Sequence, residues 1–188
     1  MIRPWRTTGT RDLVCTPIFR LTARSSAHPD RPDRGGEFFV IEAPEWVNII
    51  PLTADDRVIL VEQYRHGRGA VSLEIPGGMV DRGDADPEAA ARRELLEETG
   101  YGAGRLEAIG SISPNPAIQT NLCHTFLATE LEQRGVPASD GSEEIEIRSV
   151  ELCQIPAMIR AGQITHALVV VAFCHLLGLP GLRGRLRE

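Results

Sequence analysis

Lysine is absent from the chain: all 20 basic residues are arginine. That excludes a Schiff-base lysine, a P-loop lysine and a Ser–Lys nucleophile pair. What remains is guanidinium, which suits planar contact with phosphate or carboxylate. Cysteine is sparse. Cys15, Cys123, Cys153 and Cys174 are widely spaced, with no CxxC and no Cys/His cluster at zinc spacing. The Cys123–His124 and Cys174–His175 pairs lie in apolar runs, where sequence neighbours point apart, and read as core thiols rather than ligands. Long apolar runs are missing too. The longest, Ala167 to Cys174, falls well short of the ~18 residues of a membrane helix. Arg3, Trp5 and Arg6 near the start are followed by no apolar signal-peptide core, so the expectation is no membrane and a cytoplasmic setting.

The chain has 188 residues and a formal net charge of −6, which argues against a basic nucleic-acid-binding face. Hydrophobic residues make up 42% and charged residues 24%, enough to bury one sizeable core. The acid is concentrated. Asp81 to Glu98 holds seven acids against three arginines, and Asp140 to Glu146 adds four acids with no base, so the remainder is slightly basic.

Three regions differ in character. Residues 1–45 carry seven Arg and five Pro, with apolar runs at Leu13 to Leu21 and Phe38 to Ile41 flanking a turn-rich stretch, Ser25 to Gly36. They read as a short antiparallel pair joined by a loop. Within 46–150, strands are predicted at Val47 to Leu52, Val58 to Tyr64, Val71 to Ile75, Leu106 to Ile112, His124 to Thr129 and Ile145 to Val150. His66 with Gly67 and Gly69 supplies a hairpin turn. A helix is predicted over Pro87 to Thr99, capped by Asp86 and stopped by Gly100. Two further helices are expected, at Ile155 to Arg160 and Thr165 to Leu177. Interleaved strands and helices predict an α/β or α+β class.

The informative segment runs from Leu73 to Tyr101: LEIPGGMVDRGDADPEAAARRELLEETGY. At 100° per residue, Glu94, Glu97 and Glu98 fall within about 100° of helical arc. Ala90 and Ala91 extend that face one turn earlier and are expected to leave room beside it. Like charges at i,i+4 cost roughly 0.2–0.5 kcal/mol, so three carboxylates on one arc need a reason. One reason is a solvated acidic face balanced by Arg92 and Arg93. The other is a hard divalent cation, which takes a few carboxylate oxygens and keeps positions open for water and phosphate. Gly77–Gly78 favours the second, because a glycine turn lets a backbone carbonyl approach a metal. An EF-hand starting at Asp84 is excluded, since Ala89 and Leu95 stand where that loop needs Gly and Glu.

Gly78 followed by Arg93-Glu94-Leu95-Leu96-Glu97-Glu98-Thr99-Gly100-Tyr101 resembles the Nudix hydrolase box, G-x5-E-x7-R-E-U-x-E-E-x-G-U with U apolar. The first box Glu is replaced by Asp84, and eight residues rather than seven separate it from Arg93. Val61-Glu62-Gln63-Tyr64-Arg65 and Leu73-Glu74-Ile75-Pro76 are similar to the ADP-ribose pyrophosphatase branch, as is Pro116, which lies 15 residues after Tyr101. The segment SPNPAIQTN departs from the SPG-type text usual there. The likeness spans roughly Trp46 to Phe173.

The resemblance implies an α/β/α sandwich with a mixed sheet over 46–188, preceded by an N-terminal antiparallel β unit, residues 1–45, that takes part in a homodimer. It implies hydrolysis of the diphosphate of ADP-ribose or a related nucleoside diphosphate sugar, with Mg²⁺ or Mn²⁺ as cofactor. Glu94 and Glu98 would bind the metal with the Gly77 carbonyl, and Glu97 would share it or bridge through water. Arg93 would orient the box carboxylates. Asp84 would touch a second metal or be solvated loop. Glu143 or Glu144 would be the general base. Arg65 is the leading candidate for gripping substrate, with a structural salt bridge as the alternative. Glu74 would support a metal or substrate contact, or simply be a buried strand acid with a partner. Trp46 would stack on adenine, or be a core or interface residue. The competing functions are hydrolysis of NADH, another nucleotide sugar or a dinucleoside polyphosphate, and a Nudix-like module that senses such a ligand without cleaving it.

Overall fold

The computed structural model describes residues 2–138 and 144–178, and these fall in two units: Met1–Pro44 with Ser113–Leu122, and Glu45–Ile112 with the described chain from Cys123 onward. In the first unit, strands β1 (Arg6–Cys15), β2 (Arg20–His28) and β3 (Arg31–Glu42) form an antiparallel sheet in that order. The sequence suggested only a pair joined by a loop over Ser25 to Gly36. Instead β2 and β3 run through that stretch, and the turn shrinks to Pro29–Asp30. Cross-strand pairing carries these polar strands: Arg20 and Arg24 both engage Glu42, and Arg11 meets Glu37 at 3.0 Å. Trp5 packs edge-on to His28 and Phe38. Residues 113–122 join this unit through Ile41, whose N–H donates to the Ile118 carbonyl at 2.7 Å.

The second unit contains β4 (Trp46–Pro51), β5 (Arg57–Arg65), β6 (Ala70–Glu74), β7 (Gly77–Met79), α1 (Pro87–Thr99), β8 (Tyr101–Ile112), β9 (Cys123–Gln133), β10 (Ile145–Glu151), α2 (Ile155–Arg160) and α3 (Ala167–Gly178). A four-stranded sheet runs β7-β4-β9-β8, with β4 and β9 parallel, and a second, antiparallel sheet runs β10-β5-β6. The period of two sorts the first sheet's side chains between two cores. Val47, Ile49, Phe126 and Ala128 bury against Ala90, Ala91 and Leu95 of α1. Ile50 and Leu127 bury instead with Val169, Ala172, Phe173 and Leu176 of α3. The mixed sheet therefore lies between helices, the expected α/β/α class. Among the described residues no helix is long and apolar enough to cross a membrane.

Helix α1 has the bounds its sequence predicts. The Asp86 side chain accepts from the Ala89 N–H at 2.8 Å, Pro87 opens the first turn, and Gly100 ends it at φ 72°. Gly69, at φ 69°, turns the β5–β6 hairpin as expected. Two expectations need correction. Ala90 and Ala91 do not leave space beside the acids; both are fully buried, and their small side chains let α1 approach the sheet closely. Cys174 is not a core thiol: α3 turns Ala172, Phe173 and Leu176 inward and leaves it exposed, as Cys15 is also. Cys123 is buried, and burial pushes its thiol up to about 12, so it stays protonated and inert.

Candidate active site

The strand–glycine–helix segment places the box residues on facing elements. Short strand β7, which glycine's weak strand propensity hid in the sequence, pairs with β4 through Asn48↔Gly77 and Val47↔Gly78. Gly77 is required by close approach of backbone, and Gly78 leaves the space that the Glu94 carboxylate occupies. A Cβ on Gly77 would stand 2.3 Å from the Val47 carbonyl, and one on Gly78 would stand 2.3 Å from Glu94 Oε1. The Gly77 N–H donates to Glu98 Oε2 at 3.0 Å. The acids of α1 are thus graded in depth. Glu98 is buried against β7, Glu94 is nearly so with its side chain 14% exposed, and Glu97 lies outermost.

Arg93 ties this group together. Its Nε and Nη2 donate to the two oxygens of Asp84 at 3.2 and 2.9 Å, and Nη1 donates to Glu94 at 2.9 Å and Glu97 at 3.0 Å. Nη2 also reaches the Met79 carbonyl at 3.0 Å. The Arg93 fork holds the Asp84 carboxyl below the usual range, against its burial. Asp84 also accepts from the Asp81 N–H at 2.8 Å, so the substituted box acid is a buried partner of Arg93, not solvated loop. Burial lifts the Glu94 carboxyl above the usual range, and the neighbouring Arg93 offsets this only in part.

Among the described residues no three His, Cys, Asp or Glu side chains converge as a ready-made metal cluster. The donor set nevertheless fits a hard cation. Glu94 is a largely desolvated carboxylate paired with Arg93, Glu98 is a buried carboxylate at the glycine loop, and both lie beside the Gly77–Gly78 backbone. Asn48, which the sequence reading passed over, is buried beside Gly77 with its Nδ2 unpaired.

A second polar group lies three residues upstream of Gly77. Glu74 on β6 is only 2% exposed. It accepts from Arg65 at both oxygens, Nε at 3.1 Å and Nη2 at 2.9 Å, and from His166 Nδ1 at 2.9 Å. Burial alone would raise this carboxyl, but the His166 and Arg65 hydrogen bonds outweigh it and hold it well below the usual range. His166 was not singled out by sequence; the available signal was that a buried strand acid needs more than one donor. Because the folded carboxyl is depressed, its stabilisation is full above the ordinary Glu range, roughly pH 4.3, and is lost as pH falls through and below it. Glu74→Gln is expected to cost about 3 kcal/mol at neutral pH, with the gap from wild type shrinking towards pH 3. Urea unfolding at both pH values checks this; a gap independent of pH would refute it.

These three side chains border a cavity of ≈ 510 Å³, also lined by His66, Arg68, Ser72 and Thr165. Arg65 therefore has both its candidate attributes at once, a salt bridge and a place at a cavity wall. Trp46 begins β4, paired with Met79 and Cys123, and is half-buried. Pro116 is exposed, in a turn of the first unit where the Asn115 carbonyl accepts from Ile118 and Gln119. Glu144 is exposed and precedes Ile145, which pairs with Gln63, so the register sets it towards the Arg65 end of β5. Glu143 lies outside the described residues.

Comparison with known proteins agrees with this geometry. The NUDIX domain family model matches residues 44–169. The chain is 30% identical over 141 residues to the ADP-ribose pyrophosphatase of Bacillus subtilis (strain 168), covering 73% of this chain and 74% of that protein. It is 29% identical over 138 residues to the methanol dehydrogenase activator of Bacillus methanolicus, covering 73% and 74%. A GDP-mannose pyrophosphatase of Citrobacter koseri is 32% identical over 127 residues, covering 63% and 65%. A crystal structure of an ADP compounds hydrolase superposes with a TM-score of 0.85 at 21% identity, covering 100% of this chain and 99% of the other, which establishes the fold. The chain belongs to the Nudix family and is a Nudix hydrolase, a group whose chemistry uses a divalent cation.

Proposed function

We propose that this enzyme hydrolyses the diphosphate bond of ADP-ribose or a related nucleoside diphosphate sugar, releasing AMP and a sugar phosphate, with Mg²⁺ as cofactor and Mn²⁺ as a substitute. The observation that carries the reading is the pair of carboxylates, buried Glu98 and largely buried Glu94, set against the Gly77–Gly78 backbone. The named activities of the B. subtilis and C. koseri relatives point to the substrate class.

Glu94 and Glu98, with the Gly77 carbonyl, would hold the cation, and Glu97 would assist from the outer edge. A cation held there would supply charge neutralisation for the diphosphate and activation of the attacking water. Arg93, fixed by Asp84, keeps the Glu94 and Glu97 carboxylates oriented, so Asp84 acts as its partner rather than as a second metal ligand. Glu143 or Glu144 takes the proton from water as general base. Arg65 grips phosphate oxygens and Trp46 stacks on adenine. Residues 1–45 serve homodimer formation and 46–188 the chemistry, in the cytoplasm.

A Mg²⁺ assay across ADP-ribose, GDP-mannose, NADH and a dinucleoside polyphosphate, scored for nucleoside monophosphate release, tests this. ADP-ribose is expected to give the highest kcat/KM. The GDP-mannose pyrophosphatase relatives favour another nucleotide sugar as the second reading, and preference for GDP-mannose would establish it. Tight binding without turnover on any compound would instead mark a ligand sensor.

A further inference from the structure

The corner that holds Arg65 is tied together from two distant parts of the chain. In the β5–β6 register, Arg65 faces Ala70, Gln63 faces Ser72 and Val61 faces Glu74, so these residues share one face of the hairpin. Arg65 reaches along that face and places its fork on Glu74. One edge of the guanidinium is thereby fixed on a carboxylate whose side chain is 3% exposed, while the arginine side chain itself is 37% exposed at the cavity wall.

His166 makes that arrangement three-membered. Its Nδ1 lies 2.9 Å from Glu74 Oε2, the same oxygen that takes Arg65 Nη2. An ionised carboxylate only accepts, so Nδ1 carries the proton in this contact. The His166 carbonyl accepts from the Val170 N–H at 3.1 Å, which anchors the residue to the first turn of α3. Next to it, Arg68 Nη1 donates to Thr165 Oγ1 at 2.6 Å, a second tie between the hairpin turn and the lead-in to α3. Among the described residues that line the cavity, Glu74 is the one carboxylate; the others include two arginines, two histidines and two hydroxyls. That lining matches an anionic, hydroxyl-bearing ligand such as a sugar phosphate.

We propose that His166 is a positioning residue: by donating to Glu74 it fixes the carboxylate that aims the Arg65 guanidinium at the substrate. This rests on the reading of Arg65 as the substrate's phosphate grip. Without the imidazole, Glu74 Oε2 loses one of its two donors. A buried carboxylate left short of a partner rotates or recruits water, and the Arg65 fork turns with it. The consequence falls on binding rather than on the chemistry at Glu94 and Glu98.

The test is a double-mutant cycle on ADP-ribose hydrolysis with Mg²⁺, using His166→Ala, Arg65→Ala and both together, with His166→Asn as the conservative variant. His166→Ala is expected to raise KM about tenfold with kcat within about twofold, a coupling of ordinary size for residues in one network. His166→Asn places an amide N–H near the Nδ1 position and is expected to restore KM to within about twofold of wild type. In the Arg65→Ala background, removing His166 is expected to change KM no further. Equal KM increments in both backgrounds, or an Asn variant no better than Ala, would overturn the positioning role while leaving Arg65 as the grip. An Arg65→Ala enzyme with wild-type KM would overturn the Arg65 reading itself.

Discussion

Glu98→Gln is expected to lower kcat by at least about three orders of magnitude while leaving the fold intact, a loss equivalent to roughly 4 kcal/mol of transition-state stabilisation. The side chain is buried on α1, and its Oε2 accepts the Gly77 N–H at 3.0 Å. Glutamine has the same shape and keeps a carbonyl oxygen for that bond, so β7 and the helix stay in place. What it removes is the negative charge facing the glycine loop. Two readouts separate charge from structure. Circular dichroism and the melting temperature without metal should match wild type. Added Mg²⁺ should raise the wild-type melting temperature by mass action and leave the variant's unchanged. Glu97→Gln should do far less, since Glu97 is the exposed member and is already engaged by Arg93. Full Mg²⁺-dependent turnover in Glu98→Gln would remove the carboxylate from the metal site.

The contrast between Glu98 and Glu97 also marks how far the sequence carries. Helical periodicity put Glu94, Glu97 and Glu98 on one arc, and local signals set the α1 boundaries at Pro87 and Thr99, because Asp86 and Gly100 act within one turn of the helix they bound. Depth within that arc was not legible. It depends on β7, a strand made of two glycines and a methionine, which no propensity announces and which exists only through its register with β4. Ala90 and Ala91 were misread for the same reason: periodicity places them beside the acids but cannot say that the sheet comes up against them. The first unit was undercounted because β1 and the facing halves of β2 and β3 are largely polar, without apolar alternation, and are held by long-range ion pairs. The tie from Glu74 to His166 spans 92 positions, and only the folded chain brings them together.

Arg93→Leu is expected to destabilise the fold substantially, because it strands acids that are already largely buried. Asp84 keeps 8% and Glu94 14% of its side-chain surface exposed, and Arg93 serves both along with Glu97 and the Met79 carbonyl. Breaking such a group leaves uncompensated charge in a poorly solvated place and should cost about 3 kcal/mol at neutral pH. For a chain of this size that lowers the melting temperature by roughly 6–12 °C. The pH dependence gives the sign of the cause. The Asp84 carboxyl is held low in the folded protein, so the stability it contributes is present above the ordinary carboxylate range and is lost as pH falls through it. Glu94 runs the other way. Burial already raises it, and without Arg93 it rises further, so protonation at lower pH relieves the variant. The gap between wild type and Arg93→Leu should therefore narrow from pH 7 towards pH 4, measured by urea unfolding. Arg93→Lys should recover only part of the loss, since one ammonium cannot place a fork on Asp84 and still reach Glu94 and Glu97. A leucine variant as stable as wild type at pH 7 would mean that the acids are balanced from elsewhere, and a gap that widened in acid would reverse the assignment of Asp84 as the arginine's partner.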